Sequence, residues 1–311
     1  MRRFWVGIVI VSLVISLSAG FSPISFSQKK YNEAPMLAEL VKQGKLPSVE
    51  ERLPENPLVI KPVEEVGAYS GDLKIALLGP GDTGNIYWPF IRESFLTWDI
   101  TGTKPTPNLV EKWSVAQGGR AFVFYLRKGI KWSDGQPFTA DDVMFWYEDI
   151  LLNKELTPVF PAWLTTAGSP VKITRVNDYT VKFEFNRPNP GFLEMMTFKG
   201  SESLVIYPKH YLKQFHPKYT PIEKLKEMAQ KGGFAEWYQL FANRNDYIQN
   251  PDRPTLNAWI TTGALAGKTT HTLVRNPYYW KVDTAGNQLP YIDRIVATIA
   301  ENTELVNMRV L

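Results

Sequence analysis

Two adjacent carboxylates, Asp141 and Asp142, are the side chains in this sequence best suited by type to acid–base chemistry. Glycoside hydrolysis needs two acids whose carboxyl groups face each other at about 5–10 Å. Neighbouring residues on a helix point about 100° apart, so this pair does not face one pocket. Thr139, three residues before Asp142, instead completes the pattern of a capping box at a helix start. We therefore predict that both acids serve the helix start and that no residue is catalytic.

Other residues that commonly bind metals, act as nucleophiles or bind phosphate are present, but they lack the spacing that those roles require. The three histidines, His210, His216 and His271, do not form a zinc-ligand pattern, and no G-x-S-x-G serine elbow occurs. The glycine-rich stretch 79–85 has no lysine at P-loop spacing, and Pro80 lacks the N–H that a phosphate cradle uses. The sequence predicts no enzyme, no metal site and no cofactor. It leaves open that this loop contacts another kind of ligand.

Aromatic residues are the positive signal, since 10 Trp, 14 Tyr and 17 Phe make up 13% of the chain. We expect most of them in the core, as for Trp146 on the apolar face of a predicted helix. Trp88 and Trp163 lie in stretches that favour loops. An aromatic ring in a loop stacks on a sugar ring or on a peptide side chain through contact area and dispersion. These two tryptophans are therefore candidates for ligand contacts.

Composition bounds the class of protein. The 311 residues are 44% hydrophobic and 21% charged, which is enough for a sizeable core and argues against disorder. Lys and Arg number 35 and Asp and Glu number 31, and the formal charge of +4 is too small to indicate nucleic-acid binding. The chain has no cysteine, which excludes disulfides, thiol catalysis and iron–sulfur clusters.

The first 27 residues have the order of a secretory signal. Arg2 and Arg3 precede the apolar run 4–17, and small residues follow around Ala19 and Ser27. The run is shorter than the roughly 20 apolar residues that span a bilayer. We expect export with cleavage of residues 1–27. Because no cysteine is available for a lipid anchor, we expect the mature protein to be soluble in the periplasm or outside the cell.

Periodicity predicts strands and helices without strict alternation. Residues 71–78 read as a buried strand and residues 121–126 as another. Residues 179–185 alternate apolar and polar side chains, which is typical of a half-buried antiparallel strand. Apolar residues over 143–151 recur at helical spacing after Thr139. This mixture predicts an α/β or α+β lobe.

Capping residues, glycines and prolines predict where further helices and strands begin and end. A second capping box is expected at Thr220 and Glu223, with Gly232-Gly233 ending that helix. Residues 31–67 predict an extended arm with a short helix, followed by prolines that prevent regular structure. Asn302 is expected to cap a final helix. Because that helix stops on an apolar terminus, we expect the chain to be a fragment of a longer one.

Three stretches together resemble the extracellular solute-binding proteins of family 5, which serve ABC importers. Residues 107–113 (PNLVEKW) are similar to the family strip P-x-L-A-E-x-W. Residues 122–143 are similar to its signature F-x-L-R-x-G-x-K-[FW]-x-[DN]-G-x-P-[FV]-T-A-x-D-V. Residues 276–280 (NPYYW) and 289–293 (LPYID) are similar to a third strip. The resemblance runs from about Leu73 to the end of the chain.

The resemblance implies a mixed α/β fold, a type II periplasmic-binding-protein-like lobe with an inserted subdomain and with the second lobe missing. The divisions that it implies are a signal peptide over 1–27, an extended N-terminal arm over 28–70, a first lobe over 71–88 and 197–300, the inserted subdomain over 89–196, and the start of the second lobe over 301–311. By position, it places ligand contacts at Asp82, Asn85, Tyr87, Trp88, Phe160 and Trp163.

The function that the resemblance implies is the periplasmic solute-binding component of an ABC importer. Its expected partners are an oligopeptide or oligosaccharide ligand and the importer's membrane subunits, and the full-length protein is expected to be a monomer. In peptide-binding members the acid that holds the peptide amino group lies in the second lobe. Two alternatives stay open: a secreted glycan hydrolase, and a sensor or adhesion module. Peptide and sugar also stay open as ligands.

Overall fold

In a computed structural model, the described residues are 30–197, 202–265 and 267–310, and the side chains of residues 80, 87–89, 309 and 310 lie outside the description. The described strands are β1 (Leu58–Ile60), β2 (Ser70–Leu78), β3 (Leu96–Trp98), β4 (Pro105–Pro107), β5 (Val110–Ala116), β6 (Ala121–Leu126), β7 (Thr165–Thr166), β8 (Ser169–Pro170), β9 (Lys172–Asn177), β10 (Thr180–Glu184), β11 (Trp259–Thr261), β12 (Thr270–Arg275), β13 (Lys281–Asp283) and β14 (Ile292–Ala300). The α-helices are α1 (Pro35–Lys42), α2 (Val49–Arg52), α3 (Gly84–Phe90), α4 (Ala140–Phe145), α5 (Phe192–Met195), α6 (Lys209–Leu212), α7 (Ile222–Lys231), α8 (Trp237–Arg244) and α9 (Thr303–Val310).

The strands predicted over 121–126 and 179–185 form the centre of a four-stranded antiparallel sheet. Its order is β5-β6-β10-β9, and Phe122 pairs with Phe183 across β6 and β10. Both central strands alternate between buried and half-buried residues. Phe192 of α5 covers one face, with its ring centroid 4.8 Å from that of Phe122 and 5.3 Å from that of Phe183. The alternating pattern was therefore a reliable guide to this core.

A second four-stranded sheet has the order β11-β12-β14-β2. Its β14 is parallel to β2, with Leu73 opposite Ile295, and antiparallel to β12. The strand predicted over 71–78 forms, but the expectation that it is buried is wrong. Leu77 is its one buried residue, and the others are half-buried or exposed. In the described part of the chain β2 pairs with β14 alone, so it lies at the edge of the sheet.

The capping box predicted at Thr139 is confirmed. Thr139 Oγ1 accepts a hydrogen bond from Asp141 N–H (3.2 Å), and Asp142 Oδ2 accepts one from Thr139 N–H (3.0 Å). After α4 the chain continues as a π-helix over Trp146–Leu151, which the apolar spacing does not predict. Most of the predicted apolar face is nevertheless buried in the core that the antiparallel sheet shares.

The capping box predicted at Thr220 and Glu223 does not form. Pro221, with an extended backbone, is the N-cap of α7 and has no side-chain cap. Thr220 lies one residue farther from the helix, and its hydroxyl donates to the carbonyl of Gln214 at 2.9 Å. The predicted end of the helix is confirmed, since Gly233 follows it with a φ of +79°, a conformation that glycine adopts without strain.

The N-terminal arm contains the predicted short helix as α1, but the expectation that its prolines prevent regular structure is wrong in part. The short helix α2 lies between Pro47 and Pro54, and β1 lies between Pro57 and Pro62. Each element is short enough to fit between two prolines, so no strand or helix hydrogen bond depends on a proline N–H. β1 pairs in parallel with β13.

Arg52 fastens this arm to the body of the molecule. Its side chain is fully buried and forms an ion pair with Glu33. It also donates to the carbonyl of Pro47 at 3.1 Å and to Gln288 Oε1 at 2.9 Å. A buried guanidinium needs a hydrogen-bond acceptor for each of its N–H groups. The arm supplies some of these acceptors, and Pro277 and Gln288 supply the others.

The last described helix begins as the sequence predicts. Asn302 Oδ1 accepts a hydrogen bond from Leu305 N–H at 2.9 Å, which caps α9. α9 directly follows the end of β14 and contacts β2. Of the helices in the described ranges, none combines the length and the apolar composition needed to span a bilayer.

Candidate functional site

Two strands of the second sheet, β2 and β14, end at the same edge. β2 and β14 are parallel, and the Gly79 N–H just after β2 donates to the Ala300 carbonyl at 3.3 Å. β11 runs in the same direction but stops earlier, since Thr261 lies level with Ile295, five residues before the end of β14. In open α/β sheets, ligands bind outside the carboxyl ends of the parallel strands. We call this edge, with the loop 79–90, the carboxyl-edge site.

The loop after β2 turns sharply and is then anchored in a small core. Gly79 has a φ of +77°, which favours glycine, and a Cβ there would meet no atom within 4 Å. A 3₁₀ turn over Pro80–Thr83 leads directly into α3. Ile86 is buried with Leu77 in the same apolar cluster. This buried contact holds the start of α3 against the sheet and fixes the loop at its edge.

Asp82 and Asn85, two of the predicted contact residues, are joined to each other. Asp82 Oδ2 accepts a hydrogen bond from Leu78 N–H at 3.0 Å, and its Oδ1 accepts one from Asn85 Nδ2 at 2.6 Å. Both carboxylate oxygens are thus engaged in closing the loop. Asn85 is exposed at the surface. In this arrangement Asp82 positions Asn85, which is the more accessible of the two polar groups.

Tyr87 and Trp88 belong to α3 by their backbone, while their side chains lie outside the described residues. Their predicted role as ligand contacts stays a prediction. The last residue of α3, Phe90, packs edge-on against Trp259, with ring centroids 5.7 Å apart. Trp259 starts β11, so both ends of α3 contact the sheet.

Phe160 and Trp163 lie in the region of the antiparallel sheet. Both are partly buried and pack against its core. The Trp163 ring is nearly parallel to that of Phe192 at a centroid distance of 6.1 Å, and the Trp163 carbonyl accepts from Asn189 Nδ2 at 3.4 Å. One face of the indole is therefore used by packing. No hydrogen bond, ion pair or ring contact among the described side chains joins this segment to Asp82 or Asn85, so its role as a contact also stays a prediction.

The sequence patterns did not predict β11, the strand at the opposite side of this sheet from β2. β11 ends at Thr261, whose Oγ1 donates to a carbonyl, either that of Ile248 (3.2 Å) or that of Gly263 (3.0 Å). Thr262 Oγ1 donates to the Thr272 carbonyl at 3.0 Å. A three-residue strand is too short to show a hydrophobic period, so periodicity does not predict β11. The only available signal was the threonine-threonine-glycine turn that follows an apolar pair.

The acidic pair does not have the geometry of a hydrolase. Asp142 is buried, and its second oxygen, Oδ1, accepts from Lys209 N–H at 3.1 Å, so one carboxylate serves the starts of both α4 and α6. Burial raises the pKa of Asp142 to about 6, although hydrogen bonds from Thr139 and Lys209 oppose that rise. Asp141 points away and forms an ion pair with Arg175 at 3.0 Å. Both acids are used in local structure.

Comparison with known proteins identifies the family. The model for bacterial extracellular solute-binding proteins, family 5 Middle, matches residues 104–309. In an alignment 316 positions long, the chain is 32% identical to the periplasmic alpha-galactoside-binding protein of Rhizobium meliloti (strain 1021). That alignment covers 90% of this chain and 42% of the relative.

Two solved structures have the same fold. An oligopeptide-binding protein OppA aligns with a TM-score of 0.84 and 43% identity, over 90% of this chain and 43% of that chain. The periplasmic binding protein MelB from Agrobacterium fabrum C58, in complex with stachyose, aligns with a TM-score of 0.69 and 30% identity, over 88% of this chain and 41% of that one. The chain thus spans less than half the length of these relatives, and the predicted type II periplasmic-binding-protein-like fold is confirmed. With more than half of its residues inside the family match, the chain belongs to the bacterial extracellular solute-binding proteins of family 5.

Proposed function

We propose that the whole protein is the solute-binding component of an ABC importer, which holds its ligand without reacting with it. The observation that carries the proposal is the carboxyl-edge site. There, β2 and β14 end side by side and Gly79 is bonded to Ala300, next to a loop anchored by Ile86. Open α/β sheets bind ligands at such an edge. The names of the relatives, which are binding proteins for alpha-galactosides and oligopeptides, support the same activity.

We rank an oligosaccharide first as the ligand and an oligopeptide second. The alpha-galactoside-binding relative aligns over 90% of this chain, and a similar solved structure holds stachyose. The high aromatic content suits sugar rings, which stack on aromatic faces. The solved OppA, at 43% identity, is the observation that favours a peptide. Both ligands are rich in hydrogen-bonding groups, while an oligopeptide also carries charged termini.

In the proposed site, hydrogen bonds orient the solute and aromatic rings supply contact area. Asn85 is the exposed amide of the loop and is held by Asp82. Tyr87, Trp88, Phe160 and Trp163 complete the proposed set. Closure of a second lobe over this edge would exclude water from the hydrogen bonds and strengthen them. The division into an arm, a first lobe, an inserted subdomain and the start of a second lobe is part of the same proposal.

We propose that the protein is not an enzyme. Support comes from the acids, since Asp142 bonds to the starts of two helices and Asp141 pairs with Arg175. A hydrolase needs a proton-donating acid and a second carboxylate facing one bond. Relatives named as periplasmic support a periplasmic location. The secretory signal over 1–27 lies outside the described residues and stays a prediction, as do the importer's membrane subunits as partners.

The test is calorimetric titration of the protein, purified at its full natural length, with stachyose and with a tripeptide. We expect saturable binding of stachyose with the sugar unchanged afterwards. An Asn85→Ala variant should bind about fivefold more weakly, because one hydrogen bond to the ligand is worth about 1 kcal/mol. The matched control is Asn186→Ala, which removes another exposed asparagine with one side-chain partner. Binding of neither ligand, or release of galactose, contradicts the proposal.

A further inference from the structure

A groove of about 620 Å³ lies between the N-terminal arm and the hairpin formed by β3 and β4. One wall is residues 58–61 of the arm, and the other is residues 97–100 with 106–107. The remaining lining residues are Asn108, Glu111, Arg127 and Lys281. We call this the arm–hairpin groove. Its volume falls in the range of about 300–1,000 Å³ that is common for binding sites, and none of its lining residues belongs to the carboxyl-edge site.

The groove runs along the edge of β1 rather than across a face of it. Successive side chains of a strand point to opposite faces, so a hollow on one face touches every second residue. Here four consecutive residues, 58–61, line the hollow. Among the described strands, β1 pairs with β13 alone. An edge strand presents unpaired N–H and C=O groups, which another extended backbone can pair with.

The two walls present apolar side chains to solvent. Val59 is 55% exposed and Ile60 is 38% exposed on the arm, while Trp98 is 36% exposed and Ile100 is 88% exposed on the hairpin. Single exposed apolar residues are ordinary, but clusters of them mark interaction sites. These four lie on opposite sides of one groove. An occupant with apolar side chains would cover all of them at once.

Hydrogen bonds keep the walls rigid. Asp99 Oδ1 accepts from Thr103 N–H at 2.7 Å and from Lys104 N–H at 3.2 Å, which locks the hairpin turn beside Ile100. Arg127 Nη1 donates to the Asn56 carbonyl of the arm at 2.7 Å, and its Nε donates to the Asn108 carbonyl at 3.4 Å. One guanidinium thereby joins both sides. A groove that is already ordered loses little entropy when it is filled.

The positive and negative charges at the groove cancel, which indicates an occupant without net charge. Lys61, Arg127 and Lys281 are positive, while Asp99 and Glu111 are negative. Lys281 is also paired with the buried Glu93 at 3.0 Å, which brings the sum to zero. A groove without net charge does not select an anion, a lipid headgroup or nucleic acid.

We propose that the arm–hairpin groove binds a short, uncharged, extended segment of a partner polypeptide, with apolar side chains against Val59, Ile60 and Ile100. A second copy of this chain is disfavoured, because Pro57 and Pro62 confine the open edge to a few residues and block a continuous sheet between two copies. A flat bilayer does not fill a two-walled groove. The proposal does not depend on the solute-binding function.

The experiment uses a fluorescein-labelled peptide, Thr-Val-Thr-Val-Thr with an amidated carboxyl end, and follows its fluorescence anisotropy as the protein is added. We expect saturable binding. Ile100→Asp should weaken it at least tenfold, and Val59→Asp should act in the same direction. The control is Val159→Asp, which charges a valine that is 82% exposed outside the groove and should change the affinity less than twofold. Hydrogen exchange should slow at residues 58–61 when the peptide binds.

Three results would overturn the proposal. Peptide binding that is absent, or that Val159→Asp weakens as much as Ile100→Asp, removes the groove as the site. Binding to zwitterionic lipid vesicles that Ile100→Asp abolishes, with no peptide binding, assigns the surface to a membrane. A concentration-dependent dimer that Ile100→Asp dissociates, again without peptide binding, assigns it to a second copy. Because Ile100 is almost fully exposed, its substitution leaves the fold intact, and a circular dichroism spectrum checks this.

Discussion

The two four-stranded sheets use the same kinds of residue to different ends. In the antiparallel sheet, β6 and β10 are buried along alternate positions, and the rings of Phe122, Phe183 and Phe192 pack together. In the second sheet, β2 is nearly as apolar between Leu73 and Leu78, yet Leu77 alone is buried. Apolar composition predicts that a strand forms, while its neighbours in space decide how much of it is covered.

The antiparallel sheet therefore contributes mainly to folding stability, and the second sheet leaves surface open for binding. The antiparallel sheet buries its apolar side chains within the described chain, so it supplies free energy of folding. The second sheet leaves one side of β2 open and carries the carboxyl-edge site at its end. Surfaces that remain open are those on which a ligand or a further segment of protein can bind. We therefore expect substitutions in the first sheet to change stability and substitutions at the edge of the second to change binding.

The largest effect on stability is expected when the same type of substitution, leucine to alanine, is made separately in each sheet. Leu126 and Leu78 are each the last residue of a strand, and they are 2% and 49% exposed. Leu126→Ala should lower the free energy of unfolding by about 2–5 kcal/mol, since it removes buried atoms and leaves a cavity. Leu78→Ala should lower it by less than about 1 kcal/mol, because half of that side chain is already in water. Urea denaturation followed by circular dichroism measures both.

Equal losses would break the comparison. They would mean that β2 is covered in solution, for example by self-association, and sedimentation at two protein concentrations distinguishes that case. The slope of the urea transition should be the same for both variants and the parent, which shows that the compactness of the unfolded state is unchanged.

A pH-dependent effect of intermediate size is expected at Asp142. Its pKa in the folded chain is about 6, raised from 3.8 by burial. Between these values the folded chain holds a proton that the unfolded chain has released. The free energy of unfolding should therefore fall as pH rises from about 4 to about 6, by an amount on the order of 3 kcal/mol. Asp142→Asn has no proton to release and should lack this part of the slope.

The measurement is the difference between the two proteins in urea denaturation at several pH values. His210 with its partner Asp134, and Lys209 and Lys213, lie beside Asp142, and the charge of His210 acts to lower the pKa of Asp142. A difference that stays constant between pH 4 and pH 7 would contradict the raised pKa.

Local signals in the sequence were sufficient for some features and not for others. The alternation over 179–185, the Thr139 box and the Asn302 cap depend on residues a few positions apart. The residues that form each feature are therefore all visible in a short stretch of sequence. The exposure of β2 depends on what pairs with its other edge, which no local pattern contains. Asp82 is a similar case, because the family resemblance implies a ligand contact there by position, while its hydrogen bonds to Leu78 and Asn85 close the loop.

The smallest effect compares the two capping boxes that the sequence predicts equally well. Thr139→Ala removes the oxygen that accepts from Asp141 N–H and should lower the free energy of unfolding by about 1 kcal/mol. Thr220→Ala removes a hydroxyl that bonds to the Gln214 carbonyl outside the start of α7, and it should cost less than about 0.5 kcal/mol. Urea denaturation of the two single variants under one condition measures the difference. Equal costs would indicate that Thr220 caps its helix in solution. A larger cost at Thr139 would show that what distinguishes the two is the Pro221 backbone, which sets Thr220 one residue too far from the helix.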